Sequence, residues 1–184
     1  MTDETEFTVE LHPLDATEEK LAELKAGGVN RISMGVQSLN DETLAAMGRG
    51  YTVREAMDAF KRVKKYFDNA GIDLIVGYPG DVRRWELATL RAFELTHCSV
   101  YSLQNERNLQ DVPSDEWTLD RLKEVAAQLE EFGLERYEIS NYAKKGCECR
   151  HNLAVWRGED YIGLGDGACG RIGLKRTKFG KVET

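Results

Sequence analysis

Two periodicities alternate along the chain. Short runs of strand length at 7–11, 31–36, 71–76, 99–103 and 136–140 are separated by longer stretches in which apolar residues recur every three or four positions. The helical pattern is clearest after Thr52, where Val53, Ala56, Met57, Phe60, Val63 and Phe67 share one face. Thr52 and Glu55 supply the T-x-x-E spacing of a capping box, so a helix begins there. Thr17 caps an earlier helix with Leu21 and Leu24 inward, ended by Gly27-Gly28, and Asn40 opens a short one that stops near Gly48. A further helix sets Trp85, Ala88, Ala92 and Leu95 on one side. Another sets Leu122, Val125, Ala126, Leu129 and Phe132 in register before Gly133.

Strand and helix alternate with no hairpin signal in the first hundred residues, which predicts an α/β fold with a parallel sheet and helical crossovers. Element order alone suits either a doubly wound sheet or a (β/α) barrel. Glu10, Gln37 and Asp73 interrupt or end otherwise apolar strands, and barrel enzymes draw their active sites from strand C-terminal ends. Each could equally be a polar residue satisfied by a loop amide, and Arg49 taken alone reads as a surface arginine. A complete barrel needs eight strands and about 250 residues. Five predicted strands in 184 residues therefore lead us to expect part of a barrel.

Charge narrows the partners. Lys and Arg number 25 against 32 Asp and Glu, a net of −7, and the one basic run is Lys175-Arg176-Thr177-Lys178. Nucleic-acid binding is not expected from that balance. No apolar run approaches the roughly 18 residues of a membrane span, and the first residues lack the pattern of a signal peptide. A cytoplasmic protein is expected. Four cysteines without framework spacing argue against a disulfide scaffold, and Cys98, within a strand, reads as a buried thiol.

Candidate chemistry is densest at 147–156, CECRHNLAVW, followed by the glycine-rich run 163–167. In extended backbone, Cys147, Cys149 and His151 would share a face and could bind a metal, with Cys169 as a fourth ligand, but the second half of a zinc motif is missing. Gly163, Gly165 and Gly167 lack the following helix of a dinucleotide loop, so they predict positive φ or close backbone approach. His12 reads as a strand-end residue and His97 as a helix C-terminal one.

Six stretches together, FTVELHP, GVNRISMGVQSLNDETLAAMGR, IDLIVGYPG, SVYSL, RYEISNYA and ECRHNLAVWRGEDYIGLGDGA with their spacings, resemble the HemW-type haem chaperones over 6–173. These are radical S-adenosylmethionine (SAM) proteins related to the oxygen-independent coproporphyrinogen III oxidases. The resemblance implies a partial (β/α) TIM-like barrel, roughly strands three to six of a six-unit radical SAM barrel at 1–140, followed by a haem-binding segment at 141–184. It implies SAM contacts from Glu10, Gln37, Arg49 and Asp73, with a backbone contact at Gln104. It also implies a four-iron, four-sulfur cluster, whose C-x-x-x-C-x-x-C ligands are absent from these four cysteines and are expected upstream, so this chain alone is expected to be inactive and to hold no metal.

His151-Asn152-Leu153-Ala154-Val155-Trp156 is similar to the family's haem-binding H-N-x-x-Y-W, making His151 the residue associated with haem. Val155 stands where the pattern has tyrosine, and Cys169-Gly170 replaces a histidine-led pair. The expected function is haem binding and transfer to a client protein within a radical SAM protein. The alternatives are a haem- or porphyrin-binding fragment without catalysis, and oxidative decarboxylation of coproporphyrinogen III.

Overall fold

The computed structural model describes residues 5–81, 85, 87–105, 109–173 and 175–178; the side chains of 87, 88 and 175–178 lie outside the description. Among the described residues the chain forms two compact units, 1–147 and 148–184.

The first unit is an open sheet of six strands covered on one face by helices. Its strands are β1 (Thr8–Leu11), β2 (Arg31–Gln37), β3 (Asn69–Val76), β4 (His97–Ser102), β5 (Glu135–Arg136) and β6 (Asn141–Ala143). They lie in the order β1-β2-β3-β4-β6-β5. The first four are parallel, each joined to the next by helical connections, as the alternating pattern predicts. This is an α/β arrangement of partial-barrel type.

The helices are α1 (Glu18–Ala26), α2 (Asp41–Ala46), α3 (Val53–Tyr66), α4 (Leu87–Ala92) and α5 (Asp115–Glu131). The expected caps are present at Thr17 and Asn40, and the Thr52–Glu55 capping box closes in both directions, satisfying amides that a helix N-terminus otherwise leaves unpaired. Ala56, Ala59, Phe60 and Val63 of α3 are fully covered, and Phe60 meets Phe93 edge-on with ring centres 5.4 Å apart. Trp85 and Leu95 are buried as expected, but they lie just before and just after α4, and Ala92, expected on the same face, is exposed; Ala88 falls outside the described side chains.

Alternate residues of the parallel strands divide the chemistry between the sheet's two faces. Ile32, Met34 and Val36 of β2, Ile72, Leu74 and Val76 of β3, and Cys98 and Val100 of β4 belong to the apolar core shared with the helices. The intervening positions are largely polar: Thr8 and Glu10, Arg31 and Ser33, Asp73, then His97, Ser99 and Tyr101.

Two expectations are corrected. The run 136–140 is not a fifth parallel strand. Arg136 donates from its guanidinium to the carbonyls of Glu138 and Ile139, while the Glu138 carboxylate accepts from the amides of Ile139 and Ser140. These local bonds fold the segment into a turn, and the chain returns as β6, antiparallel to β4. His97 does not end a helix either. It opens β4, buried, with Nε2 2.8 Å from the Tyr137 hydroxyl.

The second unit contains α6 (Arg150–Arg157) and an antiparallel pair, β7 (Cys169–Ile172) and β8 (Lys175–Lys178). The backbone at 150–157 is therefore helical, not extended. Cys149 stands at the helix N-cap and His151 one turn-half further on, so these side chains point in different directions and the alternate-residue metal face does not form. Gly158 ends α6 in the left-handed region at φ 75°. The glycine run behaves as its spacing suggests: a Cβ on Gly163 would strike the Cys169 backbone, and Gly165 and Gly167 have φ of 101° and 75°.

Candidate active site on the polar sheet face

The site begins where β1, β2 and β3 place polar side chains in adjacent register. Glu10 pairs in the ladder with Ser33, and the Ser33 hydroxyl donates to both Asp73 carboxylate oxygens at 3.0 and 3.1 Å. Glu10 is exposed, and Asp73 is half-buried. Two carboxylates thus flank one buried hydroxyl on the sheet face away from the helices.

The end of β2 adds donors. Pairing with β3 runs Met34 to Ile72 and then Gln37 to Leu74, so β2 carries one extra residue, a bulge. Gln37 closes it with φ 72°, a left-handed conformation uncommon for a residue with a side chain. A Cβ built on Gly35 would lie 2.7 Å from Gln37 Nε2 and 3.6 Å from Arg49 Nη2. Gly35 is two residues beyond Ser33, on the same face, and its missing side chain leaves the cradle into which Gln37 and Arg49 project.

Arg49 follows α2 and is half-buried. It donates from Nη2 to the Gly35 carbonyl at 3.0 Å and from Nε to the Tyr51 hydroxyl at 3.0 Å. Tyr51 in turn donates to the carbonyls of Gly35 and Val36, each at 2.9 Å. Burial pushes the Tyr51 phenol above its ordinary pKa, opposed in part by Arg49. His12 meets the Tyr51 ring edge-on at 5.1 Å, and burial together with the Arg49 charge pulls its pKa down. Neither His12 nor Tyr51 is marked out by sequence pattern. The bonds of Tyr51 reach 15 and 16 residues back along the chain, beyond any local spacing rule.

Four sequence-predicted residues, Glu10, Gln37, Arg49 and Asp73, are therefore assembled around β1–β3. Gln104 is exposed on the loop beyond β4 and, among the described residues, makes no hydrogen bond to those four. The polar face continues across β4. Tyr101 stands near Ser99 and Asn141, and burial raises its phenol pKa. At the N-terminal end of the same face, Arg31 and His97 are buried. Burial first, then the nearby Arg31 charge, holds His97 down to a pKa of about 3.

In the second unit His151 is exposed on α6, and its ring meets Tyr161 edge-on at 5.7 Å. Tyr161 is fixed by reciprocal backbone bonds with Arg171, 2.8 Å in each direction. Trp156, Ile162 and Leu164 are also exposed in this unit. Cys98, by contrast, is fully buried on the helix side of β4, where burial raises its thiol pKa far above the ordinary value. Among the described residues no group of three or more His, Cys, Asp or Glu is placed to hold a metal ion. No described helix is long and apolar enough to cross a membrane.

Comparison with known proteins gives this geometry a context. Residues 2–92 match the Radical SAM superfamily. The heme chaperone HemW of Bacillus subtilis is 38% identical over 190 residues, which covers 96% of this chain and 50% of that protein. The heme chaperone HemW of Escherichia coli is 36% identical, covering 92% of this chain and 47% of its own length. The mitochondrial radical S-adenosyl methionine domain-containing protein 1 of Danio rerio is 36% identical, covering 94% and 42%. Among solved structures, coproporphyrinogen III oxidase (HemN) of Escherichia coli, a radical SAM enzyme, superposes with a TM-score of 0.76 at 25% identity, over 94% of this chain and 45% of that one. The chain spans about half the length of the curated relatives it matches. Parallel strands, a polar inner face and agreement along nearly the whole chain converge: this protein belongs to the HemW/HemN-like family of the radical SAM superfamily.

Proposed function

We propose that residues 1–140 form the SAM-binding part of a radical SAM protein and that 141–184 contribute its haem-binding segment. Supporting the first half is one observation: Glu10, Ser33 and Asp73 share one sheet face, and Gln37 and Arg49 project into the space that Gly35, two residues beyond Ser33 on that face, leaves without a side chain. SAM carries a carboxylate, an amino group and ribose hydroxyls. Arg49 suits the carboxylate, while Glu10 and Asp73 supply acceptors for the amino group and the hydroxyls. Gln104 would add a backbone contact. Radical SAM proteins use a four-iron, four-sulfur cluster to pass an electron to SAM. Cys98, Cys147, Cys149 and Cys169 lack the ligand spacing for such a cluster, so they take no part in that chemistry.

Isothermal titration with SAM tests this reading. Arg49→Gln and Asp73→Asn are each expected to weaken binding by roughly tenfold or more, the loss of a hydrogen bond to a charged group. Unchanged affinity in both would overturn it.

Haem is the cargo we propose for the second segment, with His151 as the iron-binding residue and a client protein as recipient. Relatives at 34–38% identity are named as heme chaperones, whereas the oxidase relative is at 25%, which favours haem handling over coproporphyrinogen decarboxylation. The exposed imidazole beside Tyr161 and the exposed Trp156, Ile162 and Leu164 provide a ligand and apolar surface for a macrocycle. Haem titration followed at the Soret band should show a shift that His151→Ala abolishes; an identical shift in the variant would remove His151 from this role. We place the protein in the cytoplasm.

A further inference from the structure

We infer that Tyr51 is the positioning residue of the SAM site, fixing Arg49 and the Gln37 bulge together. The inference rests on the reading of Arg49 as the residue that binds the SAM carboxylate.

Three bonds and one ring contact carry it. The Tyr51 hydroxyl accepts from Arg49 Nε at 3.0 Å and donates, shared, to the carbonyls of Gly35 and Val36 at 2.9 Å each. Those carbonyls belong to the bulge that ends at Gln37, whose φ is 72°. A single hydroxyl therefore ties the guanidinium to the backbone segment that aims Gln37. Arg49 Nη2 binds the same Gly35 carbonyl, so the guanidinium is held at two points. Among the described residues Nη1 has no partner, and no carboxylate pairs with Arg49. The fork is thus oriented by Tyr51 and Gly35 while one of its nitrogens remains open to an anion.

A tethered guanidinium binds a carboxylate better than a free one because its side-chain entropy is already spent. His12, edge-on to the ring at 5.1 Å, fixes the plane of Tyr51 and so the direction of its hydroxyl. The strained Gln37 backbone needs such over-determination to persist. Tyr51 touches neither proposed carboxylate, so its effect passes through Arg49 and Gln37 and not through Asp73.

The test combines exchange and binding. In the wild-type chain the Arg49 Nε proton, followed by ¹⁵N NMR, is expected to exchange with solvent far more slowly than those of exposed arginines such as Arg157; equal exchange overturns the inference without any variant. Tyr51→Phe keeps the ring and removes the hydroxyl. SAM affinity should fall roughly tenfold. That loss should be largely absent when Arg49→Gln is already present and fully additive with Asp73→Asn. A Tyr51→Phe chain that binds SAM like wild type, while Arg49→Gln weakens it, overturns the inference and leaves the SAM reading standing. If Arg49→Gln and Asp73→Asn both bind like wild type, or the wild-type chain gives no SAM binding at millimolar ligand, the SAM reading itself fails and the inference falls with it.

Discussion

Ser33 and Asp73, on adjacent parallel strands, are joined by one hydroxyl that donates to both carboxylate oxygens at 3.0 and 3.1 Å. Ser33 is buried and Asp73 half-buried, so the bond sits at the edge of solvent where a carboxylate still gains from a fixed donor. It orders the acidic side of the site before any ligand arrives. Ser33→Ala should therefore cost about 1–2 kcal/mol of stability in urea unfolding. It should also weaken SAM binding less than Asp73→Asn does. Stability equal to wild type would mean that the carboxylate is not held by this hydroxyl.

Gly71 is a second pressure point on the same face. A Cβ there would lie 2.5 Å from the His97 carbonyl oxygen and 2.8 Å from the His97 Cβ, and a backbone atom cannot swing aside as a long side chain can. Strands β3 and β4 pair at this position. Gly71→Ala is expected to destabilise the fold by about 1–3 kcal/mol, read as a lower urea midpoint. A variant as stable as wild type would show that β3 and β4 do not approach this closely.

His97 predicts a pH dependence of stability. Its folded pKa, about 3, lies below the ordinary 6.5 because the buried ring resists charging and Arg31 is near. Between those values the unfolded chain binds a proton that the folded chain does not. Stability is therefore fully present above about pH 6.5 and declines as pH falls toward 3, with a slope from this group near 1.4 kcal/mol per pH unit. Glu18 and Glu55, whose pKa values are lowered by hydrogen bonds, also lose stabilisation in acid, so the comparison is with His97→Gln. Urea unfolding at pH 4, 5, 6 and 7 should give a shallower acid decline for the variant; parallel profiles would place His97 in contact with water.

Much of the architecture is legible along the chain because α3 and the parallel strands bury one continuous apolar face, and burial imposes period. Val53, Ala56, Phe60 and Val63 announce α3 in the sequence and face the core in the fold. Local competition defeated the same reasoning at 136–140. Arg136 and Glu138 bind backbone groups within three residues and turn a strand-like run into a bend. At 147–151, Cys149 caps α6 without a side-chain bond, so no capping residue marks the helix start.

The site divides in the same way. Glu10, Gln37 and Asp73 are visible as polar residues in or at the ends of apolar strands. Arg49 gains meaning from the motif around it, and Tyr51 only from the three-dimensional meeting of β2 with the segment after α2. Residues that act through others leave no periodic trace, since their partners are fixed by topology and not by spacing.

The central claim is that the polar face of β1–β3 binds SAM, and mapping the ligand by NMR tests it most directly. Titrating SAM into the ¹⁵N-labelled chain should shift the amides of Glu10, Ser33, Gln37, Arg49, Tyr51 and Asp73, while those of Ala56, Phe60 and Val63 on the opposite side of the sheet stay in place. Shifts confined to the groove lined by Lys64, Arg91, Glu131 and Lys144 at the helix layer, or no shifts at all, would contradict the account.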